Sequence, residues 1–281
     1  MKRVASIQDI SCVGRCSLTV ALPVLSVMGV ECAVLPTAVL STHTIFPDFT
    51  CRDLTEELLP IARHWKSQAL HLDAICSGYL ATPAQTEAVC EVFDLLGEKD
   101  TLIVVDPAMA DHGRLYKPFA PDFPLAMKKV CQRADVLVPN PTEACLLTGT
   151  PYREDMDEAL VRELLKKLSD LAPRAVLTGV SFDEKHLGAM SYDRQSGQYF
   201  SYFNERVPRS FHGTGDLFTA TLLGGMMQGR TLEQAMALAV DFTLACIRVT
   251  CTDNAAPWYG VEFERALPWL AEQMKRPADK Q

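Results

Sequence analysis

Residues 210–225 read SFHGTGDLFTATLLGG, with Gly213-Thr214-Gly215 directly before Asp216 and an apolar run behind it. Glycine lets a backbone take conformations closed to other residues, so successive N–H groups can point into one concavity. At a helix start those groups also feel the positive end of the helix dipole. Such a turn is an anion hole, suited to a phosphoryl group that gains negative charge during transfer. Asp216 cannot stabilise an anion, but it can accept a proton from an attacking hydroxyl. Base and anion hole within four residues point to phosphoryl transfer to an alcohol. The plainer reading makes Asp216 a helix cap and the glycines a turn, and short glycine motifs leave both open.

Other residues could serve the same chemistry. In VPNPTEACLLTG (138–149), a helix starting near Pro141 makes Asn140 its N-cap and puts Glu143 in the first turn. Together they can hold a hydrated Mg²⁺ beside a nucleotide, or they can form a capping box, the commoner use of this spacing. VVDPAMADHGRLY (104–116) carries Asp106 and Asp111 in a loop at a strand end. Two carboxylates there can bind cations, although Asp, Pro and Gly also favour plain turns. LTGV (177–180) brings Thr178 and Gly179 to a strand end, where glycine allows close approach of a ligand. The six histidines form no metal-type pair, and no Gly-x-Ser-x-Gly, P-loop or protein-kinase motif set occurs.

These residues need a scaffold, and the pattern supplies one. Strands are expected at 3–7, 32–37, 72–78, 101–106, 134–139 and 174–179. They are rich in Val, Ile and Leu with little alternation, as for parallel strands buried on both faces. Helices are expected between them, at 17–28, 52–67, 82–97, 141–148 and 154–171, then at 215–227, 232–251 and 261–274. Residues 188–203 alternate around Ser196-Gly197, which predicts an edge hairpin. The fold class is α/β: three layers, α/β/α, around a mostly parallel, doubly wound sheet. Ligands of such sheets bind beyond the carboxyl ends of the strands. Asp9, Asp106, Asn140 and Thr178 are expected there. No repeat or long linker divides residues 1–281, so a single domain is expected, with 275–281 a frayed tail.

Composition narrows the function. The net charge is −8, which gives no basic footprint for nucleic acid. No run of 18 uncharged apolar residues suggests a membrane span, and Gln8 and Asp9 interrupt any signal-like core. Ten scattered cysteines without a Cys-x-x-Cys read as reduced core thiols of a cytoplasmic protein.

From about residue 3 to about 250 the chain resembles the ribokinase-like superfamily, and within it the pyridoxal kinase family. RVASIQD resembles the family's opening Ser-Ile-Gln-Ser strand, LSTHT its Ser-Asn-His-Thr, and DAICSGYL its Ser-Gly-Tyr segment. VVDPAMADHGRLY resembles its Asp-Pro-Val-Met-Gly-Asp loop, VPNPTEACLLTG its Pro-Asn-x-x-Glu, and FHGTGDLFTATLLGG its terminal Gly-Thr-Gly-Asp. The resemblance implies an ATP-dependent kinase acting on the 5′-hydroxymethyl group of pyridoxal, pyridoxine or pyridoxamine. Asp216 would be the base, and Gly213, Thr214 and Gly215 the anion hole. Asn140 and Glu143 would hold Mg²⁺ and the ATP phosphates, with Asp106 near them. Asp111 would lie near a monovalent cation, K⁺ or Na⁺. Thr178 and Gly179 would contact the nucleotide, and Thr44 the vitamin ring. A homodimer is implied too. One departure is Asp9, where the family usually has Ser at the ring-binding position; a carboxylate there would favour the cationic amine of pyridoxamine. It also leaves hydroxymethylpyrimidine as a substrate. The alternatives are a sugar kinase of the same superfamily, or a non-catalytic vitamin B6 binding protein, which would have little need for Asp216 and the Asn140/Glu143 pair together.

Overall fold

The computed structural model describes residues 1–117 and 119–276. The chain opens with β1 (Arg3–Ser11), α1 (Leu18–Val27), β2 (Glu31–Leu40), β3 (Cys51–Asp53), α2 (Thr55–Ser67), β4 (Ala74–Ser77) and α3 (Pro83–Leu96). It continues through β5 (Leu102–Val105), β6 (Ala110–Asp111), β7 (Arg114–Leu115), α4 (Phe123–Cys131), β8 (Val136–Leu137), α5 (Pro141–Thr148) and α6 (Glu158–Leu168). The last part holds β9 (Arg174–Val180), β10 (His186–Asp193), β11 (Gln198–Glu205), α7 (Thr214–Met227), α8 (Leu232–Cys251) and α9 (Leu267–Lys275).

Nine strands form one sheet in the order β11-β10-β9-β8-β5-β4-β1-β2-β3. The six from β9 to β2 run parallel; β3 at one edge and the β10–β11 hairpin at the other are antiparallel. Their apolar runs are explained by burial on both faces. Within β1, Ala5 and Ile7 enter the core beneath α2, α3, α4, α5 and α6, while Val4 enters the core beneath α1, α7 and α8. Strand order reverses between β1 and β4, which opens a crevice at their carboxyl ends.

The sequence pattern missed β3, the small β6–β7 ribbon and α4. Each is short or lies in a turn-rich stretch where periodicity has little to act on. Expected strand 134–139 shrinks to two paired residues, and helix 154–171 to Glu158–Leu168. The expected tail lies outside the described residues beyond 276, and α9 runs to Lys275. Among the described residues α8 is long and apolar enough to cross a membrane by length and composition. Here it serves as a core helix: Ala235, Met236, Ala239 and Phe242 are buried without solvent contact. Asp241, midway along it, accepts hydrogen bonds from Tyr202 and Asn204 of β11.

Candidate active site

The N-terminus of α7 lies bare. Its N-cap is Gly213, at φ +81°, and no side chain caps it. The N–H groups of Thr214, Gly215 and Asp216 therefore have no partner within the helix. Gly213 is irreplaceable on two grounds. Its φ is left-handed, and a Cβ there would lie 1.9 Å from the Arg15 carbonyl oxygen. Gly215 is different: a Cβ on it would project toward Asp106, 4.0 Å from Oδ2. Its missing side chain keeps open the space between the helix start and that carboxylate.

Three carboxylates surround this turn. Asp216 is partly buried, and burial pushes it up to about 7, aided by the charges of Asp106 and Asp9 and opposed by a hydrogen bond from the Ser17 N–H. Asp106, just after β5, is pushed up to about 6 by burial. Its Oδ2 accepts from the Thr219 hydroxyl at 2.8 Å. Thr219 breaks the usual habit of a helical threonine, which is to bond the carbonyl one turn back. Thr221, two residues on, does just that with Leu217. Asp9 is 4% exposed and is raised by burial, against hydrogen bonds from Ser17 Oγ at 2.6 Å and Ser11 Oγ at 3.1 Å. It lies inside β1, where β2 bulges opposite it, and not beyond the strand as its motif suggested.

The N-terminus of α5 is the reverse case. Asn140 Oδ1 accepts from the N–H groups of Thr142 and Glu143, at 2.9 and 3.0 Å. Glu143 Oε2 returns the bond by accepting from Asn140 N–H at 2.8 Å, completing the capping box. Glu143 Oε1 accepts from Met109 N–H at 3.1 Å, and Asn140 Nδ2 donates to Ala110 O at 2.7 Å. Both side chains thus clamp the loop that begins at Asp106. Burial and then Asp106 push the Glu143 carboxyl well above the usual range.

The remaining expected residues spread around these two helix starts. Thr178 lies within β9 rather than after it, its N–H bonded to Pro139 O at 3.0 Å. Gly179, at φ +65°, faces the ring of Pro141. Both therefore border Asn140. Asp111 is exposed on β6, accepting from its neighbour His112 N–H, and Thr44 is exposed on the loop after β2. Neither is joined by a described hydrogen bond to the carboxylates around α7. Three residues escaped the sequence reading: Ser11, Ser17 and Thr219; Tyr79, of the SGYL segment, has no role in that reading, and it lies near Asp9 and is pushed up to about 12 by burial. A polar Ser17 directly before an apolar helix was a legible cap signal. Beside the site, the rings of His43 and His212 lie 5.3 Å apart, and burial and then His212 hold His43 down at about 4, hence neutral.

Among the described residues no three His, Cys, Asp or Glu side chains converge into a protein-only metal cage. Asp106 keeps Oδ1 free of any described hydrogen bond. That donor set suits a hydrated Mg²⁺ arriving with phosphates, and not a fully coordinated structural ion.

An uncapped glycine turn, a carboxylate poised near neutrality and a second carboxylate across the gap define a phosphotransferase. A model of the phosphomethylpyrimidine kinase family matches residues 25–257, and the chain belongs to that family. Several proteins it is similar to are pyridoxal kinases. The pyridoxal kinase of Arabidopsis thaliana is 28% identical over 266 residues, 92% of this chain and 85% of the plant protein. The crystal structure of pyridoxal kinase from Lactobacillus plantarum superposes with a TM-score of 0.89 at 31% identity, over 97% of this chain and 98% of that one. A Bacteroides thetaiotaomicron protein, provisionally named a phosphomethylpyrimidine kinase and crystallised with pyridoxal, gives a TM-score of 0.91 at 36% identity. It covers 99% of this chain and 97% of its own. These likenesses match the resemblance drawn from the motifs and the ribokinase-like architecture.

Proposed function

We propose that this chain is an ATP-dependent pyridoxal kinase, converting a vitamin B6 alcohol to its 5′-phosphate. The observation that carries the reading is Asp216, a half-buried carboxylate held near pH 7 beside unpaired helix N–H groups. A base with that affinity for protons suits removal of a hydroxyl proton at neutral pH. Asp216 takes the proton of the 5′-hydroxymethyl group as its oxygen forms a bond to the γ-phosphorus of ATP. The bond from that phosphorus to the β-phosphate oxygen breaks, and ADP leaves. The N–H groups of Thr214, Gly215 and Asp216 face the oxygens that gain charge. Mg²⁺, when bound, offsets the charge of the phosphates. Asp106 would hold it directly, with Asn140 and Glu143 acting through the loop they clamp. Thr178 and Gly179 would border the nucleotide. Asp9 and Thr44 would face the vitamer, and Asp111 a K⁺ or Na⁺ ion. A cytoplasmic homodimer completes the proposal.

The test is ADP release from Mg-ATP against pyridoxal, pyridoxine, pyridoxamine, hydroxymethylpyrimidine and ribose. Turnover on the B6 vitamers is expected, with pyridoxamine favoured by Asp9. The second reading is hydroxymethylpyrimidine, the alcohol whose phosphate ester, phosphomethylpyrimidine, names the matched family. Turnover confined to that alcohol, or to ribose, would move the substrate and keep the chemistry. Tight vitamer binding without turnover would make the protein a sensor.

A further inference from the structure

Ser17 has a backbone that serine does not favour. It sits at φ +49°, ψ −132°, as the N-cap of α1. Glycine reaches that region at no steric cost, whereas other residues pay of order 1–3 kcal/mol. Three other described non-glycine residues have positive φ: Asp48, Ala69 and His112. All three are exposed, in turns where solvent tolerates the distortion, whereas Ser17 is 5% exposed. A buried strained serine calls for a reason.

Its polar groups supply one. As an N-cap, its hydroxyl would ordinarily accept from the first N–H groups of its own helix. It makes no such bond. The hydroxyl donates instead to Asp9 Oδ1 at 2.6 Å, and the N–H bonds to Asp216. The carbonyl starts α1 by accepting from Val20 and Ala21. One residue thereby ties a carboxylate on β1 to the candidate base on α7. The titratable groups that face Asp9 are Cys16 in the loop before α1, Cys51 on β3, Tyr79 after β4 and Asp216. None of these is a cation, so the two hydroxyl donors are what oppose the upward pull of burial on Asp9.

We infer that Ser17 is a positioning residue, holding Asp9 and Asp216 in one fixed relation, and that serine is kept over glycine for its hydroxyl. The inference rests on the reading of Asp216 as base and Asp9 as a vitamer contact. It separates two costs that usually travel together. Ser17→Gly relieves the backbone and keeps the N–H, but removes the hydroxyl.

The experiment is Ser17→Gly, alone and combined with Asp9→Asn, on the full chain. The glycine variant should melt no lower than the parent. Its kcat/KM for the vitamer should fall about tenfold, the scale of a hydrogen bond to a charged group. KM for ATP should stay within about twofold, since the nucleotide residues lie elsewhere. In the Asp9→Asn background the glycine change should cost little further, because the charge that the hydroxyl supports is gone and only a neutral amide oxygen is left to accept it. Carbon-13 titration of the Asp9 carboxyl should move upward in Ser17→Gly, a readout independent of any substrate. Unchanged Asp9 titration, fully additive losses, or a glycine variant melting well below the parent would each overturn the inference. A parent without vitamer turnover would instead sink the functional reading, and the Asp9 titration would still decide the role of Ser17.

Discussion

At the start of α5, Asn140 and Glu143 satisfy the first N–H groups from within, and Glu143 reaches on to Met109. At the start of α7, Gly213 offers no side chain, and the same kind of N–H groups are left for something else. The two helix starts lie at opposite ends of one short loop. Asp106 leans over α7 through Thr219, and Met109 and Ala110 are gripped by α5. The difference is one of purpose. A capped start is finished as structure, and an uncapped one is unfinished until a ligand arrives.

The largest expected effect comes from breaking the unfinished side. Asp216→Asn should lower kcat by at least about 10²–10⁴, the usual worth of a general base. Its stability should move the other way. Burial raises the folded Asp216 to about 7 from an ordinary 3.8, so the native state resists losing that proton. The parent therefore loses relative stability as pH rises from about 4 toward 7. The melting-temperature advantage of Asp216→Asn should grow over that window and level off above it. In the parent, kcat/KM for the vitamer should climb with pH to a plateau just above 7. A flat profile from pH 6 to 8 would remove Asp216 from the base role.

Next comes Gly213→Ala, which sets a methyl group against the Arg15 carbonyl at a left-handed φ. A loss of about 2 kcal/mol or more in denaturant unfolding is expected. A fully stable alanine variant would show that the turn can relax and need not be bare.

Smaller still, Thr219→Val should weaken binding of Mg-ADP by about tenfold by calorimetry, since Asp106 loses its anchor. Thr221→Val should not, because Thr221 only bonds back to its own helix. Equal effects from both would mean that Asp106 needs no orientation. The smallest change belongs to the finished side. Asn140→Ala should cost about 1 kcal/mol of stability, as for a lost N-cap. Its profile should be the inverse of Asp216→Asn, with stability down and turnover nearly kept. A collapse of turnover at unchanged stability would place Asn140 on the metal or phosphates directly.

Much of this is legible in the residues alone. The parallel strands declare themselves because burial on both faces leaves unbroken apolar runs, as in LIVV of β5. Gly213 to Asp216 stand out because two glycines before a helix make poor structure and good anion sites. What stays hidden is tertiary. Nothing in the pattern says that Thr219 bonds across to Asp106, 113 positions away, while Thr221 does not. Asp9 is expected beyond β1, yet the strand continues to Ser11 because β2 follows it, with a bulge, to Leu40. Spacing alone leaves Asn140 and Glu143 between cap and metal ligand. The geometry realises the cap, and the box still leaves lone pairs through which a hydrated ion could be held.

Ser17 and Asp9 come from the first tenth of the chain, and Asp216 from its last quarter. On the ribosome, then, β1 through β9 emerge before Asp216 has been added to the chain. Domains take shape as units during synthesis, and the candidate site forms only once α7 meets β1 and the loop after β5. A chain stopped before residue 213 would lack Asp216 and the open turn, and with them α7 and α8, so one face of the sheet would lose its apolar cover at the same stroke.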